Sequence, residues 1–286
     1  MSDYVIFTDT CSDLNSKMIK DLCVEVIPMT VTLDGESFSS EDLILNDFYS
    51  KLRGGSISST SQINTTEFID IFRPTLEKEK DIIYIALSSG LSGTVNSAFA
   101  AAEELMIEFP KQKIYVIDSL SASLGQGLMV YYAAKLMQQG KTAQEVYEYI
   151  LEHRQNFAHW FTVDDLMFLR RGGRLTGAVA LVGTVLGIKP VLHVDKNGHL
   201  VNVNKTRGRK NSLDALVGCM QVAAINPKNQ TIFISHGDCE ADAEYVADEI
   251  RKAFGTTDIY INYIGPVIGS HSGPGTVALF FFADGR

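Results

Sequence analysis

One stretch limits the architecture of this chain more than any other. Residues 81–105, DIIYIALSSGLSGTVNSAFAAAEEL, join a β-branched apolar run to a small hydroxyl-rich turn and then to an alanine-rich helical pattern. Residues 81–87 read as a buried strand. Residues 88–93 are the turn, and a helix starts at Thr94 with Ser92 or Thr94 as its N-cap. That order puts backbone N–H groups and hydroxyls at one point, where the helix dipole favours an anion.

The first half of the chain repeats this alternation. Residues 4–8 form a strand ending in Thr8-Asp9-Thr10, and Ser12-Asp13 cap a helix to residue 22. Asp9 is a ligand or base if that strand end faces a site, and a turn carboxylate if it does not. Residues 24–33 are a second strand, followed by the hairpin signal Asp34-Gly35. Residues 46–52 form a short helix closed by Gly54-Gly55. Residues 56–66, SISSTSQINTT, are a solvated loop or a binding loop between two α/β units. A strand over 113–118 and helices over 121–139 and 142–154 follow, the last with a Thr142/Glu145 capping box. Gly125-Gln126-Gly127 lies inside a helix and lacks the third glycine of a dinucleotide fingerprint, so it serves close packing.

Past residue 157 the pattern changes. Residues 159–163 are a strand, and 164–170 a short helix running into Arg170-Arg171-Gly172-Gly173-Arg174. Residues 176–188 carry no charge, which marks a helix that is buried or covers something apolar. Strands at 190–194 and 199–203 flank the hairpin signal Lys196-Asn197-Gly198. Lys205, Arg207, Arg209 and Lys210 precede a helix to residue 224. A strand at 231–235, a helix at 240–254 and a strand at 258–264 lead to the rigid turn GPVIGSHSGPG and a closing strand at 276–282. The fold class is therefore α/β in two domains: residues 1–158 with a parallel sheet, and 159–286 with a mixed sheet.

Composition narrows the function classes. A net charge of −9 argues against general binding of nucleic acid. Cys11, Cys23, Cys219 and Cys239 are scattered without a C-x-x-C, and no signal peptide precedes the first strand, so a reduced cytoplasmic setting is expected. No window approaches the ~18 apolar residues of a membrane span, which leaves at most transient contact with a membrane surface. No H-x-x-x-H or carboxylate-rich loop suggests a metal, and no cofactor is expected. Residues 183–189 do not satisfy the phosphate-binding P-loop pattern.

Gly90-Leu91-Ser92-Gly93-Thr94 comes within one position of the nucleophile elbow G-x-S-x-G. A serine-dependent acyl hydrolase using Ser92, with His271 or His236 as base, is thus one reading. A phosphotransferase using His271 is another and ranks last. Three serines in the turn fit cradling better than attack. The clusters at 170–174 and 205–210 are anion or partner sites if they are not solvated surface.

Four segments, in order along nearly the whole chain, resemble the DegV family of bacterial fatty-acid-binding proteins. They are Thr60-Ser61-Gln62, Ser88-Ser89-Gly90-Leu91-Ser92-Gly93-Thr94, Leu169-Arg170-Arg171-Gly172-Gly173-Arg174, and residues 265–275. One departure is Ile63, where the family usually has Pro after the T-S-Q triplet. The resemblance implies a non-enzymatic carrier that holds one long-chain fatty acid, such as palmitate, stearate or oleate, in a tunnel between and within two domains. It implies that Thr60 and Ser92 bind the carboxylate, supported by His271 and Arg207. A separate fatty-acid kinase then makes the acyl phosphate, with Arg170, Arg171 and Arg174 as candidates for the surface facing it. The energetics agree: burying about 14 methylenes is worth roughly 11 kcal/mol before the costs of association. The tail supplies affinity and the hydroxyls orientation. The charge-free residues 176–188 are a candidate tunnel wall or a plain core helix.

Overall fold

The computed structural model describes residues 3–175 and 187–286. Strand β1 (Tyr4–Asp9) leads through a 3-10 turn at Thr10–Ser12 to α1 (Ser16–Leu22) and β2 (Glu25–Ile27). A small excursion follows: β3 (Thr30–Leu33), β4 (Glu36–Ser39), α2 (Leu45–Arg53) and β5 (Ser58–Ser61). Then come α3 (Thr65–Leu76), β6 (Asp81–Ala86), α4 (Thr94–Glu108), β7 (Ile114–Asp118), α5 (Leu124–Gln138) and α6 (Ala143–His153). The second half comprises β8 (Phe157–Thr162), α7 (Met167–Arg171), β9 (Ile188–Val194), β10 (Leu200–Arg207) and α8 (Arg209–Ala223). It ends with β11 (Ile232–His236), α9 (Glu240–Phe254), β12 (Ile259–Tyr263), α10 (Pro266–Ser272) and β13 (Val277–Phe282).

The first sheet is parallel, in the order β2-β1-β6-β7. Helices cover both faces, which is why β6 reads as a continuous apolar run. Ile82 and Tyr84 pack with Phe68 and Phe72 of α3, while Ile83 and Ile85 face Leu128 of α5 and Val146 of α6. The second sheet is mixed, in the order β10-β9-β8-β13-β11-β12, with only β11 and β12 parallel. One face, through Val277, Leu279 and Phe281, packs on α8 and α9. The other, through Ala278 and Phe280, shares a core with α5. The chain is thus a two-domain α/β fold with α5 wedged between the sheets. Gly125 makes the wedge fit, because a Cβ there would meet the Phe280 ring at 2.7 Å. The packing role expected of that glycine pair is the one observed.

Several local expectations are corrected. Residues 24–33 are not one strand: Pro28, with no N–H to donate, separates β2 in the parallel sheet from β3 in a three-stranded antiparallel sheet, β4-β3-β5. The supposed loop 56–66 contains β5, and its Asn64 forms a capping box with Glu67 at the start of α3. Asn15, not Ser12-Asp13, caps α1. Gly93 takes the N-cap position of α4 and has no side chain to cap with, while Ser92 Oγ, one residue earlier than expected for a cap, accepts from Thr94 N at 3.3 Å. The turn over 265–275 contains the two-turn helix α10. The strand expected over 159–163 is β8, which begins earlier, at Phe157. Of the charge-free stretch expected to be helical, residues 176–186 lie outside the described residues, and Ile188 opens β9.

Candidate functional site

Two buried aspartates shape the ground on which the site is built. Asp9, at the end of β1, accepts hydrogen bonds from Cys11 N (3.0 Å), Tyr84 OH (2.7 Å), Leu87 N (3.2 Å) and Gln126 Nε2 (3.2 Å). Burial pushes its pKa up while those donors pull it down. It anchors the β6 end from beneath and does not line the cavity described below, so the turn-carboxylate reading is the one the geometry supports. Asp13 accepts from Ser123 Oγ at 2.5 Å and from Gly265 N at 2.8 Å. Burial raises its pKa to about 7. Through Gly265, the residue before α10, Asp13 fixes where that helix begins.

α10 brings His271 to β5, where Nε2 lies 2.7 Å from Thr60 Oγ1. The other ring nitrogen packs against Gly172 after α7, so closely that any Cβ there would collide with it. Desolvation, with Arg174 nearby, lowers the His271 pKa to about 4. The ring is neutral at physiological pH. With the proton on Nε2, it donates to Thr60 and leaves the threonine hydroxyl proton free for an anion.

Thr60 and His271 line a cavity of about 260 Å³. Thr60, Gln62, Ser92, Arg174, His271 and Ser272 line it together, which unites β5, the β6–α4 turn, the segment after α7 and α10. Leu87, Leu91, Phe161, Leu169, Leu200 and Ala278 make much of the remaining wall. Among the described lining residues Arg174 is the one formal charge, and none is a carboxylate. Its Nε donates to Leu91 O at 3.1 Å, and another guanidinium N–H reaches Gly172 O. Arg174 therefore ties the Ser92 turn to the His271 glycine. A half-buried guanidinium, two hydroxyls and a neutral imidazole above an apolar pocket suit an anionic head on an apolar body.

The turn serines have separate tasks. Ser88 Oγ donates to Gly198 O at 2.9 Å and docks the β9–β10 hairpin. Ser89 N bonds Asp118 Oδ1 at 3.1 Å and its side chain is exposed. Ser92 reaches the cavity, with Oγ 2.9 Å from Thr94 Oγ1. No recorded hydrogen bond joins Ser92 to a histidine. His271 is taken by Thr60, and His236 Nδ1 accepts from Cys239 N at 3.3 Å, away from the cavity. The nucleophile–base–carboxylate geometry of a hydrolase is not assembled by these residues.

The arginines are redistributed. Arg207, expected behind the head group, ends the edge strand β10 opposite Ile188, is exposed and does not line the cavity. The ladder register carries it away, and Arg174, expected on a partner surface, occupies the cavity wall instead. Arg170 and Arg171 are exposed on α7, with the Arg171 guanidinium 4.7 Å from the Phe168 ring centroid. Ile63 is buried in the core of the first domain. Sequence reading missed Ser272 and His159, buried lining residues whose Oγ and Nδ1 have no hydrogen-bond partner among the described residues. Only His159, between Ala158 and Trp160, had apolar neighbours that hinted at burial. Among the described residues no group of three or more His, Cys, Asp or Glu could hold a metal, and no helix is long and apolar enough to cross a membrane.

Comparison with known proteins agrees with this geometry. Residues 3–284 match the model of the DegV family, described as an uncharacterised protein family. A DegV domain-containing protein of Clostridium perfringens is 43% identical over 99% of both chains. A DegV family protein of Thermus thermophilus, described as binding fatty acid, superposes with a TM-score of 0.87 at 30% identity, covering 98% of this chain and 99% of its own. DegV of Bacillus subtilis, described as a fatty acid binding protein, gives 0.85 at 28% identity, covering 99% and 100%. With the family match running from one end of the fold to the other, this chain belongs to the DegV family.

Proposed function

We propose that this protein binds one long-chain fatty acid, its carboxylate held by Thr60 and Ser92 beside His271 and Arg174, its tail in the apolar cavity. The observation that carries the reading is the cavity itself: its described lining brings one guanidinium together with Ser92 and the Thr60–His271 pair, holds no carboxylate, and is otherwise largely aliphatic and aromatic. The fatty-acid-binding relatives of similar fold add support. The carboxylate would meet a cation and O–H donors, which offset its desolvation, while the tail supplies the affinity. Palmitate, stearate and oleate are all of suitable chemistry.

The reading extends to a carrier with no catalysis of its own, working in the cytoplasm. It presents the carboxylate to a separate fatty-acid kinase, with Arg170 and Arg171 on the side that meets the kinase. Their exposure next to the head-group end supports that assignment. Protein purified from cells should release about one equivalent of long-chain fatty acid on extraction. Mixed with a fatty-acid kinase and ATP, it should support acyl-phosphate formation, and a double R170Q/R171Q variant should slow that step. Protein that is always empty and takes up no added oleate would overturn the whole reading. Loaded protein that supports no phosphorylation would overturn the carrier role alone. Turnover of an aryl ester lost in Ser92→Ala would instead favour a hydrolase.

A further inference from the structure

The cavity lining holds a polar side chain to which the carboxylate reading gives no task. Gln62 directly follows β5, two residues past Thr60, and among the described lining residues it is the one that is exposed. A residue that both lines a cavity and faces solvent stands at its opening. Among the described residues its amide has no hydrogen-bond partner. Water satisfies an exposed amide in the free protein, so this one can turn to a ligand without giving up a protein contact.

The place of that amide is marked from across the opening. Gly93 follows Ser92 in the β6–α4 turn and also lines the cavity. A Cβ on Gly93 would collide with Gln62 Oε1, and would meet Cδ at 3.4 Å and Nε2 at 3.7 Å, its three nearest atoms. Gly93 has φ −76° and ψ −2°, which any L-residue adopts, so the backbone does not call for glycine there. Room for the Gln62 amide does. The side chain thus reaches from the end of β5 to the β6–α4 turn. Thr60 lies two residues from one end of this bridge, and Ser92 one residue from the other.

We propose that Gln62 is a further carboxylate-binding residue, its amide closing on the head group from the solvent side, an inference that rests on the fatty-acid reading above. A carboxylate offers about four acceptor sites, so Thr60, Ser92 and Arg174 leave room for another donor. The amide N–H donates to the carboxylate oxygen nearest solvent. Gly93 is the positioning residue beneath it, because any side chain there pushes the amide off the turn.

The test measures oleate and oleyl alcohol by displacement of a fluorescent fatty acid from the intact protein. Gln62→Ala should weaken oleate by about threefold to tenfold, as expected for one hydrogen bond to a charged group at a partly solvated site. Gln62→Glu keeps the shape but sets carboxylate against carboxylate, so oleate should weaken by about tenfold or more while the alcohol is unchanged. Gly93→Ala should weaken oleate as Gln62→Ala does, and the double variant should bind no worse than either single one. Unchanged oleate affinity in Gln62→Ala would overturn the proposal. So would a Gln62→Glu that weakens acid and alcohol alike, or a Gly93→Ala that adds its full effect to that of Gln62→Ala. The Gln62 variants decide alone if Gly93→Ala does not fold. Wild-type protein that binds neither oleate nor the alcohol would instead bring down the fatty-acid reading and this inference with it.

Discussion

Replacing Arg174 with methionine should weaken oleate binding by about tenfold to a hundredfold, the range expected when a hydrogen bond to a charged group is lost. Arg174 is the one formal charge on the described cavity wall, so no neighbouring cation takes over. The preference for the free acid over its methyl ester should fall with it, because the ester carries no charge to neutralise. A second readout separates this from simple loosening of the loop. Arg174 helps hold the His271 pKa down, so in R174M that pKa should rise from about 4, as followed by NMR of the ring. Arg174→Lys should keep part of the affinity but not the bracing of Leu91 O and Gly172 O, which a single ammonium cannot span as a fork does. Unchanged oleate binding in R174M would return Arg174 to the outer surface with Arg170 and Arg171.

Asp9→Ala should destabilise the fold by about 3–5 kcal/mol in denaturant unfolding, because it strands several buried donors at once. Tyr84 OH, Leu87 N and Cys11 N lose their acceptor, while Gln126 Nε2 keeps Thr8 Oγ1 and Ile85 O. Asp9→Asn should cost less, since it keeps one acceptor oxygen. The carboxylate holds the end of β1 against the end of β6, and so places the turn that carries Ser92. The expected signature is lost stability first, with fatty-acid affinity in the remaining folded protein falling far less than in R174M. A fully stable Asp9→Ala that no longer binds oleate would mean Asp9 touches the ligand directly.

How much could be read from the chain alone depended on whether local chemistry decided the outcome. The strand–turn–helix around Ser92, the Lys196-Asn197-Gly198 hairpin and the Thr142/Glu145 capping box were legible because each is specified by neighbours in sequence. Thr60, Ser92 and His271 were picked out by resemblance, and the fold brings all three to one cavity. The break at Pro28 was legible in principle, because a missing N–H limits a central strand. β5 was not, since Ser58–Ser61 is a strand only through its pairing with β3. The exchange of Arg207 for Arg174 was equally hidden. Both sit in basic runs, and only ladder register and the α7 C-terminus decide which one faces inward. His159 and Ser272 gave no signal because a missing hydrogen-bond partner is a property of three-dimensional surroundings.

The central claim is that a fatty-acid carboxylate sits against Thr60 and Ser92. Titration with palmitate labelled with carbon-13 at its carboxyl tests it most directly. One saturating resonance is expected, in the ionised range, distinct from free palmitate and unchanged in shape as pH is lowered to about 5. It should shift in Thr60→Val and in Ser92→Ala. A bound resonance that titrates like free fatty acid and is the same in both variants would place the carboxylate elsewhere and contradict the account.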